Sequence, residues 1–371
     1  MPPGKCGYKL VKLAQVKPEF WRDKSVFLTG HTGFKGGWLS LWLSSMGAKV
    51  TGYALAPNTE PNLYTVIDVS SLIEHSHIAN IADRPRLMEA MSNAQPEVVI
   101  HMAAQPLVRY SYLNPVETYS TNVMGTVNVL ECVRNLAGIK VVVNVTTDKC
   151  YENREWDRGY QETDALGGFD PYSSSKGCAE LVTAAYRQSY FSGQSSGANI
   201  AIASARAGNV IGGGDWSEDR LIPDAIRAFE NGKPLLIRNP NAIRPWQHVL
   251  EPLSGYLILA QALFEQGTTF SGAWNFGPDD EDARPVKEVI DCLISHWKGG
   301  ASWLQDGEPH PHEAHFLKLN CAKAKEQLQW TPRWHLDEAI EKIVSWQRAY
   351  QQNIPMQSFA LEQIAQYNQA I

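Results

Sequence analysis

Blocks of apolar and amphipathic residues follow one another along the first half of the chain. Short apolar runs predict β-strands at 24–29, 49–54, 98–102, 139–145 and 199–205. Helical patterns lie between them at 36–46, 116–136 and 172–190. Because the run IKVVVNV at 139–145 has no polar face, its strand is expected to be covered on both sides. This alternation predicts an α/β protein with a doubly wound, parallel-sheet Rossmann fold.

The texture of the sequence changes after Gly208, where three consecutive glycines (212–214), many prolines and short mixed elements follow. We predict a Rossmann domain over 17–207, completed by elements that return from the C-terminal half. Residues 208–371 are predicted to form mainly a smaller C-terminal α/β lobe that binds the substrate. Residues 1–16 lack the apolar block of a signal peptide, so we interpret them as a poorly ordered leader.

Composition excludes several classes of protein. The net charge of −6 argues against a nucleic-acid groove, and no apolar run approaches the roughly 20 residues of a membrane span. The six scattered cysteines favour reduced thiols in a cytoplasmic protein. No metal site is expected, because Pro309 and Pro311 prevent the clustered histidines nearby from sharing one helix face.

A glycine-rich turn joins the first predicted strand to the first predicted helix. Its spacing, G-x-x-G-x-x-G, allows backbone amides to approach a pyrophosphate at a helix N-terminus. The sequence therefore predicts that a nicotinamide dinucleotide binds at Gly30, His31, Thr32, Gly33, Phe34, Lys35 and Gly36. The second strand carries no carboxylate for an adenosine ribose, and Lys35 is a candidate for a 2′-phosphate. This stretch alone leaves NAD and NADP open.

A Tyr-x-x-x-Lys pair, Tyr172 and Lys176, begins the helix that follows strand 139–145. Positions i and i+4 share a helix face, so the lysine charge is expected to lower the pKa of the phenol and make it a base. Thr147, Asp148 and Lys149 follow the strand, at the edge where open α/β sheets bind ligands.

Longer motifs extend these signals over most of the chain: TGHTGFKGGWL, HMAAQPLVRYSY, TTDKCYEN, PYSSSKGCAE, RAGNVIGGGDW and IRPWQHVLEPLSGYL. They resemble the extended short-chain dehydrogenase/reductase superfamily and, within it, the CDP-glucose branch of the sugar-nucleotide 4,6-dehydratases. The resemblance implies a lyase that converts CDP-glucose to CDP-4-keto-6-deoxyglucose with a tightly bound NAD regenerated in each turnover. It also implies a role in deoxysugar synthesis for surface polysaccharide such as O-antigen.

The resemblance further implies roles for individual residues. Tyr172 takes the C4 hydroxyl proton, Thr147 hydrogen-bonds the reacting oxygen, and Lys176 holds the nicotinamide ribose. Asp148 is the acid for the C6 hydroxyl and Lys149 the base at C5, unless Lys149 only pairs with Asp148. Five further cofactor contacts are implied, at Asn80, Ile81, Ala103, Ala104 and Gln105. The implied substrate contacts are Arg109, Asn209, Arg220, Leu221, Pro223, Arg244 and His312.

The helices at 116–136 and 172–190 are, by the same resemblance, expected to form the four-helix bundle of a homodimer. Two other functions remain open at this point. A sugar-nucleotide epimerase or reductase on the same scaffold would share Tyr172 and Lys176 without needing Asp148 and Lys149 for elimination. A non-catalytic dinucleotide sensor would need none of the reacting residues.

Overall fold

The computed structural model describes residues 15–192, 200–308 and 316–370. Gln15 and Val16 contact Gln261 and the core, and the rest of the predicted leader lies outside the described residues. The strands are β1 Ser25–Thr29, β2 Lys49–Ala54, β3 His75–Ile78, β4 Val98–His101, β5 Val141–Val145, β6 Ala201–Ala207, β7 Asn209–Ile211, β8 Leu235–Ile237, β9 Ile243–His248, β10 Gly272–Phe276, β11 Ala283–Pro285 and β12 Trp303–Gln305.

Fourteen α-helices accompany these strands in the described residues. They are α1 Pro18–Trp21, α2 Phe34–Ser45, α3 Leu63–Val66, α4 Val69–Leu72, α5 Arg84–Ala94, α6 Val108–Leu113, α7 Pro115–Tyr119, α8 Gly125–Asn135, α9 Pro171–Ser189, α10 Leu221–Glu230, α11 Leu250–Gln266, α12 Val286–Trp297, α13 Leu336–Gln351 and α14 Met356–Gln369. A π-helical segment, Ser120–Met124, links α7 to α8, so the helix predicted at 116–136 contains a widened turn.

The large sheet has seven parallel strands in the order β10-β6-β5-β4-β1-β2-β3. Successive residues of its central strands face opposite layers: Val141 and Val143 belong to the apolar cluster that contains α2 and α11, and Val142 belongs to the cluster that contains α5 and α8. The unbroken apolar run at 139–145 therefore follows from burial on both faces. The predicted parallel-sheet Rossmann fold is confirmed.

Elements beyond residue 207 contribute to both parts of the molecule. Strand β10 is the edge strand of the large sheet, helix α11 packs on the sheet, and helix α14 packs against α2. A separate apolar cluster joins α10, α12 and α13 to two small sheets, β11-β9-β7 and β12-β8. This cluster lies beside the carboxyl ends of the strands of the large sheet. The boundary at residue 207 between a Rossmann domain and a substrate-binding lobe remains a proposal. No helix in the described ranges combines the length and apolar character that crossing a membrane requires.

Candidate active site

The glycine-rich turn follows β1 directly and delivers the chain into α2. Gly30 has a left-handed backbone (φ 81°), and a Cβ there would lie 2.8 Å from the backbone nitrogen of Ala103. At Gly36 a Cβ would lie 2.0 Å from the carbonyl oxygen of Gly30, so α2 and the turn are in close backbone contact. The first turn of a helix leaves N–H groups without intrahelical partners, and these face the cavity beside the turn. The arrangement fits the pyrophosphate of a dinucleotide.

Two side chains of this turn, those of His31 and Lys35, do not point toward the predicted dinucleotide site. The ring of His31 is buried against Gly52 and hydrogen-bonds Ser76, away from the cavity. The ammonium of Lys35 donates a 2.9 Å hydrogen bond to the hydroxyl of Tyr256. Burial, with the charges of Lys176 and Arg220, lowers the pKa of Lys35 to about 7. Lys35 therefore lies beside the reacting residues, and the suggestion that it receives a 2′-phosphate at the end of β2 is wrong.

The predicted reacting residues meet at the carboxyl end of β5. Asp170 caps α9 by accepting a hydrogen bond from the Ser173 backbone, which places Tyr172 in the first turn. The Lys176 ammonium donates to the carbonyl of Val145 at 3.2 Å. The Thr147 hydroxyl donates to Asp148 Oδ1 at 3.0 Å. One strand end and one helix face thus bring Thr147, Asp148, Tyr172 and Lys176 together.

Burial controls the protonation of this group. It raises the pKa of Asp148, although the charges of Lys149 and Arg244 oppose that shift. Among the described residues, Asp148 Oδ2 has no hydrogen-bond partner. The carboxyl group is therefore suited to remain protonated and to donate from its free oxygen.

Tyr172 departs from the expectation for its pKa. Burial raises the pKa of its phenol to about 12, and the neighbouring Thr147 hydroxyl and Arg220 only partly oppose this. The prediction that the Lys176 charge would lower the pKa of the Tyr172 phenol was wrong for the protein without bound cofactor. Desolvation of the phenolate outweighs the nearby positive charge.

The loop after β4 forms the next part of the wall. Ala103, Ala104 and Gln105 line the cavity, and their loop is held by Asn122 in the π-helical segment. Asn122 accepts from the Gln105 backbone N–H at 2.8 Å and donates to its carbonyl at 3.0 Å. Asn122 was not among the residues predicted from the sequence. The widened turn that presents its side chain leaves no mark in the apolar pattern.

The opposite wall comes from the C-terminal half. Arg244 in β9 is buried, and its charge affects Asp148. Arg220 forms an ion pair with Asp215 at 2.8 Å, and Arg109 pairs with Asp219 at 2.9 Å. These pairs preorganise two guanidinium groups at the cavity wall. The remaining predicted substrate residues there are Asn209, Leu221 and Pro223.

One cavity of about 960 Å³ connects all of these parts. Apart from His31, every predicted site residue that the structure describes lines it, including Asn80, Ile81 and Lys149. His312 lies outside the described residues. Further parts of the lining were not predicted from the sequence, among them the stretches 56–59 and 235–239 and Asp306. Their short, mixed sequences carry no pattern that sets them apart from ordinary loops.

Comparison with known proteins agrees with this geometry. The sequence signature of the NAD dependent epimerase/dehydratase family matches residues 26–277, and the chain belongs to that family. It is 55% identical to the CDP-glucose 4,6-dehydratase of Salmonella typhimurium, over 96% of this chain and 99% of the relative. It is 23% identical to a dTDP-glucose 4,6-dehydratase of Xanthomonas campestris, over 91% and 97% of the two chains. The resemblance found in the motifs is confirmed, and so is NAD as the cofactor.

Solved structures share the fold. The dTDP-glucose 4,6-dehydratase of Bacillus anthracis, crystallised with NAD, superposes with a TM-score of 0.72 at 22% identity, covering 89% of this chain and 97% of the other. A UDP-glucose 4-epimerase of Thermotoga maritima with UDP-glucose gives a TM-score of 0.74 at 20% identity, covering 88% and 99%. At these identities the likeness concerns the fold alone.

Proposed function

We propose that this chain is an NAD-dependent CDP-glucose 4,6-dehydratase. The observation that carries the proposal is Asp148, a buried carboxyl group beside Thr147 and Tyr172 whose pKa is raised and whose Oδ2 has no partner in the described chain. A 4-epimerase or a reductase on this scaffold has no need of an acid for a leaving hydroxyl. The identity of 55% to an enzyme of this name supports the choice of CDP-glucose as substrate.

The first step is oxidation at C4 of the glucose. Tyr172 takes the proton of the C4 hydroxyl, and Thr147 beside it hydrogen-bonds the same oxygen. Lys176, fixed by its bond to the Val145 carbonyl, is placed to hold the nicotinamide ribose. NAD, when bound at the turn 30–36, supplies the hydride acceptor and a positive ring that favours the phenolate. It is regenerated in each turnover, and we infer that it stays bound between turnovers.

The second step is elimination of water across C5 and C6. The new 4-keto group acidifies the C5 proton, and we assign its removal to the neutral form of Lys149, which lines the cavity at the same strand end. Asp148 donates its proton to the departing C6 hydroxyl, which requires the protonated form that burial favours. Return of the hydride to C6 and of the proton from Lys149 to C5 would then give CDP-4-keto-6-deoxyglucose and restore NAD.

One wall of the cavity carries positively charged side chains that could bind the diphosphate of the substrate. Arg220 and Arg244 line the cavity beyond the reacting residues, and guanidinium groups bind phosphate oxygens through two parallel hydrogen bonds. Asn209 lies on the same wall. We assign the diphosphate to these three residues and the nucleoside to the stretch 235–239 beyond them.

We also propose that the enzyme is a homodimer. Leu113, Val116, Met124 and Leu181 expose 82%, 82%, 51% and 60% of their area, and all lie between α6 and α9. Exposed apolar side chains concentrated on neighbouring helices favour a protein interface. A two-fold pairing of these helices buries them in a four-helix bundle.

A cytoplasmic setting fits the thiols. The five cysteines in the described residues, Cys132, Cys150, Cys178, Cys292 and Cys321, are all free. Reduced thiols are typical of that compartment.

The direct test incubates the purified protein with NAD and CDP-glucose and follows the alkali-induced absorbance of a 4-keto-6-deoxy product. We expect product from CDP-glucose in preference to UDP-glucose and dTDP-glucose. Turnover of those substrates without CDP-glucose would overturn the substrate assignment. Epimerised or reduced product would overturn the reaction.

A matched pair of variants makes the test specific. Tyr172→Phe is expected to abolish the first oxidation. Tyr186→Phe removes a hydroxyl from the same helix, where it donates to Glu131 outside the cavity, and is expected to keep activity. Equal activity in the two variants would contradict the role of Tyr172.

A further inference from the structure

A charged cluster with no part in the mechanism above lies directly beneath the reacting residues. Glu180 and Arg206 are buried, with 4% and 2% of their area exposed, and form an ion pair at 2.8 Å. A buried pair of this kind contributes little net stability, because desolvation offsets much of the attraction. Its place under the site therefore suggests another role.

The Glu180 carboxylate is fully engaged. Oε1 accepts a hydrogen bond from the Thr146 hydroxyl. Oε2 accepts from Ser204 at 2.6 Å and from Arg206 Nη2 at 2.8 Å. Thr146 immediately precedes Thr147, so the carboxylate anchors the strand end that carries Thr147 and Asp148.

The same carboxylate lies one helical turn from Lys176. Positions 176 and 180 share a face of α9, and Lys176 donates to the Val145 carbonyl while Glu180 accepts from the adjacent Thr146. Arg206 binds the other carboxylate oxygen, from β6. The negative charge of Glu180 therefore acts on the Lys176 ammonium as well as on the Arg206 guanidinium to which it is bonded.

We propose that Glu180 is a positioning residue that keeps Lys176 cationic and fixes the strand end carrying Thr147 and Asp148. The substrate used to measure the consequence rests on the proposed function, but the protonation of Lys176 does not.

The other ionisable groups around Lys176 do not supply a negative charge in place of the Glu180 carboxylate. They are Tyr172 on the same helix, Asp148 and Cys150 after β5, His101 in β4, Lys35 on α2 and Arg206 in β6. Burial raises the pKa of Tyr172, Asp148 and Cys150 and lowers that of His101 to about 3, so all four favour the neutral form. Arg206 adds positive charge, and Lys35, whose pKa burial lowers to about 7, is mostly neutral where Lys176 titrates. Burial lowers the pKa of Lys176 to about 8, and Glu180 opposes a larger fall.

The test titrates Lys176 in the full-length chain without substrate. Lysine labelled with ¹³C reports loss of the ammonium proton at Cε, and Lys176→Met assigns the signal. Glu180→Gln removes the charge at nearly constant shape, and we expect the Lys176 transition to move to lower pH by about one unit. An unchanged transition overturns the proposal.

Activity gives the second readout. Loss of activity with rising pH should follow Lys176 deprotonation, so the alkaline limb of kcat/KM with CDP-glucose should shift by the same amount and in the same direction in Glu180→Gln. If no CDP-glucose is converted, the proposed function fails while the lysine titration still decides this inference.

Three further variants separate charge from folding. Glu180→Gln leaves Arg206 unpaired, so Glu180→Gln combined with Arg206→Met restores neutrality and should still shift the transition. Arg206→Lys keeps the charge and should retain the wild-type titration even with a lower Tm. Glu251→Gln alters another fully buried glutamate, bound by Tyr367 and the Trp334 backbone outside the cavity. It should leave the Lys176 transition in place, and a shift there would contradict the specific role of Glu180.

Discussion

Replacing Gly36 with alanine tests the dinucleotide turn sharply, because backbone occupies the space where the new methyl group would go. The added Cβ would lie 2.0 Å from the Gly30 carbonyl oxygen and 2.8 Å from His31 Cα. Ordinary van der Waals contact begins at 3.4 Å, so α2 and the turn must separate by about 1.4 Å at this point. Neither contact atom belongs to a side chain that can rotate away.

The displacement has two expected consequences. Overpacking of this kind lowers the free energy of unfolding by about 1–3 kcal/mol. The amides that hold the pyrophosphate would also leave hydrogen-bonding distance, and each bond to a charged group contributes about 1.5–3 kcal/mol. Loss of one such bond predicts an NAD dissociation constant raised by roughly 10- to 100-fold.

Isothermal titration with NAD and a thermal melt measure both effects. Gly37→Ala is the matched control, because its Cβ would meet Leu63 Cδ2, the end of a flexible side chain, at 2.9 Å. Alanine also favours a helix over glycine by about 1 kcal/mol, so this variant should bind NAD normally and melt near the wild-type temperature. Equal NAD affinity in Gly36→Ala and Gly37→Ala would refute the assignment of the turn.

Three further predictions follow from burial and exposure. Burial raises the pKa of Glu251 to about 7, so the folded state binds this proton more tightly than the unfolded chain does. The free energy of unfolding therefore falls as pH rises from the ordinary glutamate pKa to about 7. Glu251→Gln should flatten the fall in Tm over this range, and an unchanged slope would contradict the prediction. Leu181→Glu should convert the dimer to a monomer in size-exclusion chromatography with light scattering, whereas Ile354→Glu, also at an exposed position, should not. Arg244→Gln should raise KM for CDP-glucose about tenfold or more by removing a phosphate contact, while Arg284→Gln, its exposed neighbour across β9 and β11, should leave KM unchanged.

Strongly patterned elements could be predicted from the sequence, and weakly patterned ones could not. The strands β1, β2, β4, β5 and β6 are mostly apolar because both faces of the sheet are covered, and the apolar pattern records this burial. Strand β3 (HSHI) forms the edge of the same sheet with half-buried and exposed side chains, so its sequence has no apolar run. The strands of the two small sheets were also missed, because β7, β8, β11 and β12 are only three residues long and β9 (IRPWQH) mixes polar and apolar residues.

In the active site, too, residues of one local motif could be predicted from the sequence, and contacts between distant parts of the chain could not. Gly30, Gly36, Tyr172 and Lys176 belong to motifs whose spacing within one turn or helix fixes their geometry. Partners that meet only through the fold left no such signal, as with Lys35 and Tyr256, which are separated by 221 positions. The pKa of Tyr172 was mispredicted because the sequence reveals a neighbouring charge but not the degree of burial.

The central claim is that Asp148 serves elimination rather than oxidation, and rapid mixing of Asp148→Asn holoenzyme with CDP-glucose tests it most directly. Asparagine preserves the shape of the side chain but carries no acidic proton for the C6 hydroxyl. We expect a burst of NADH absorbance that persists in Asp148→Asn, because oxidation proceeds and elimination is slow, and no burst in Tyr172→Phe. Absence of the burst in Asp148→Asn, or release of 4-keto-6-deoxy product at the wild-type rate, would contradict it.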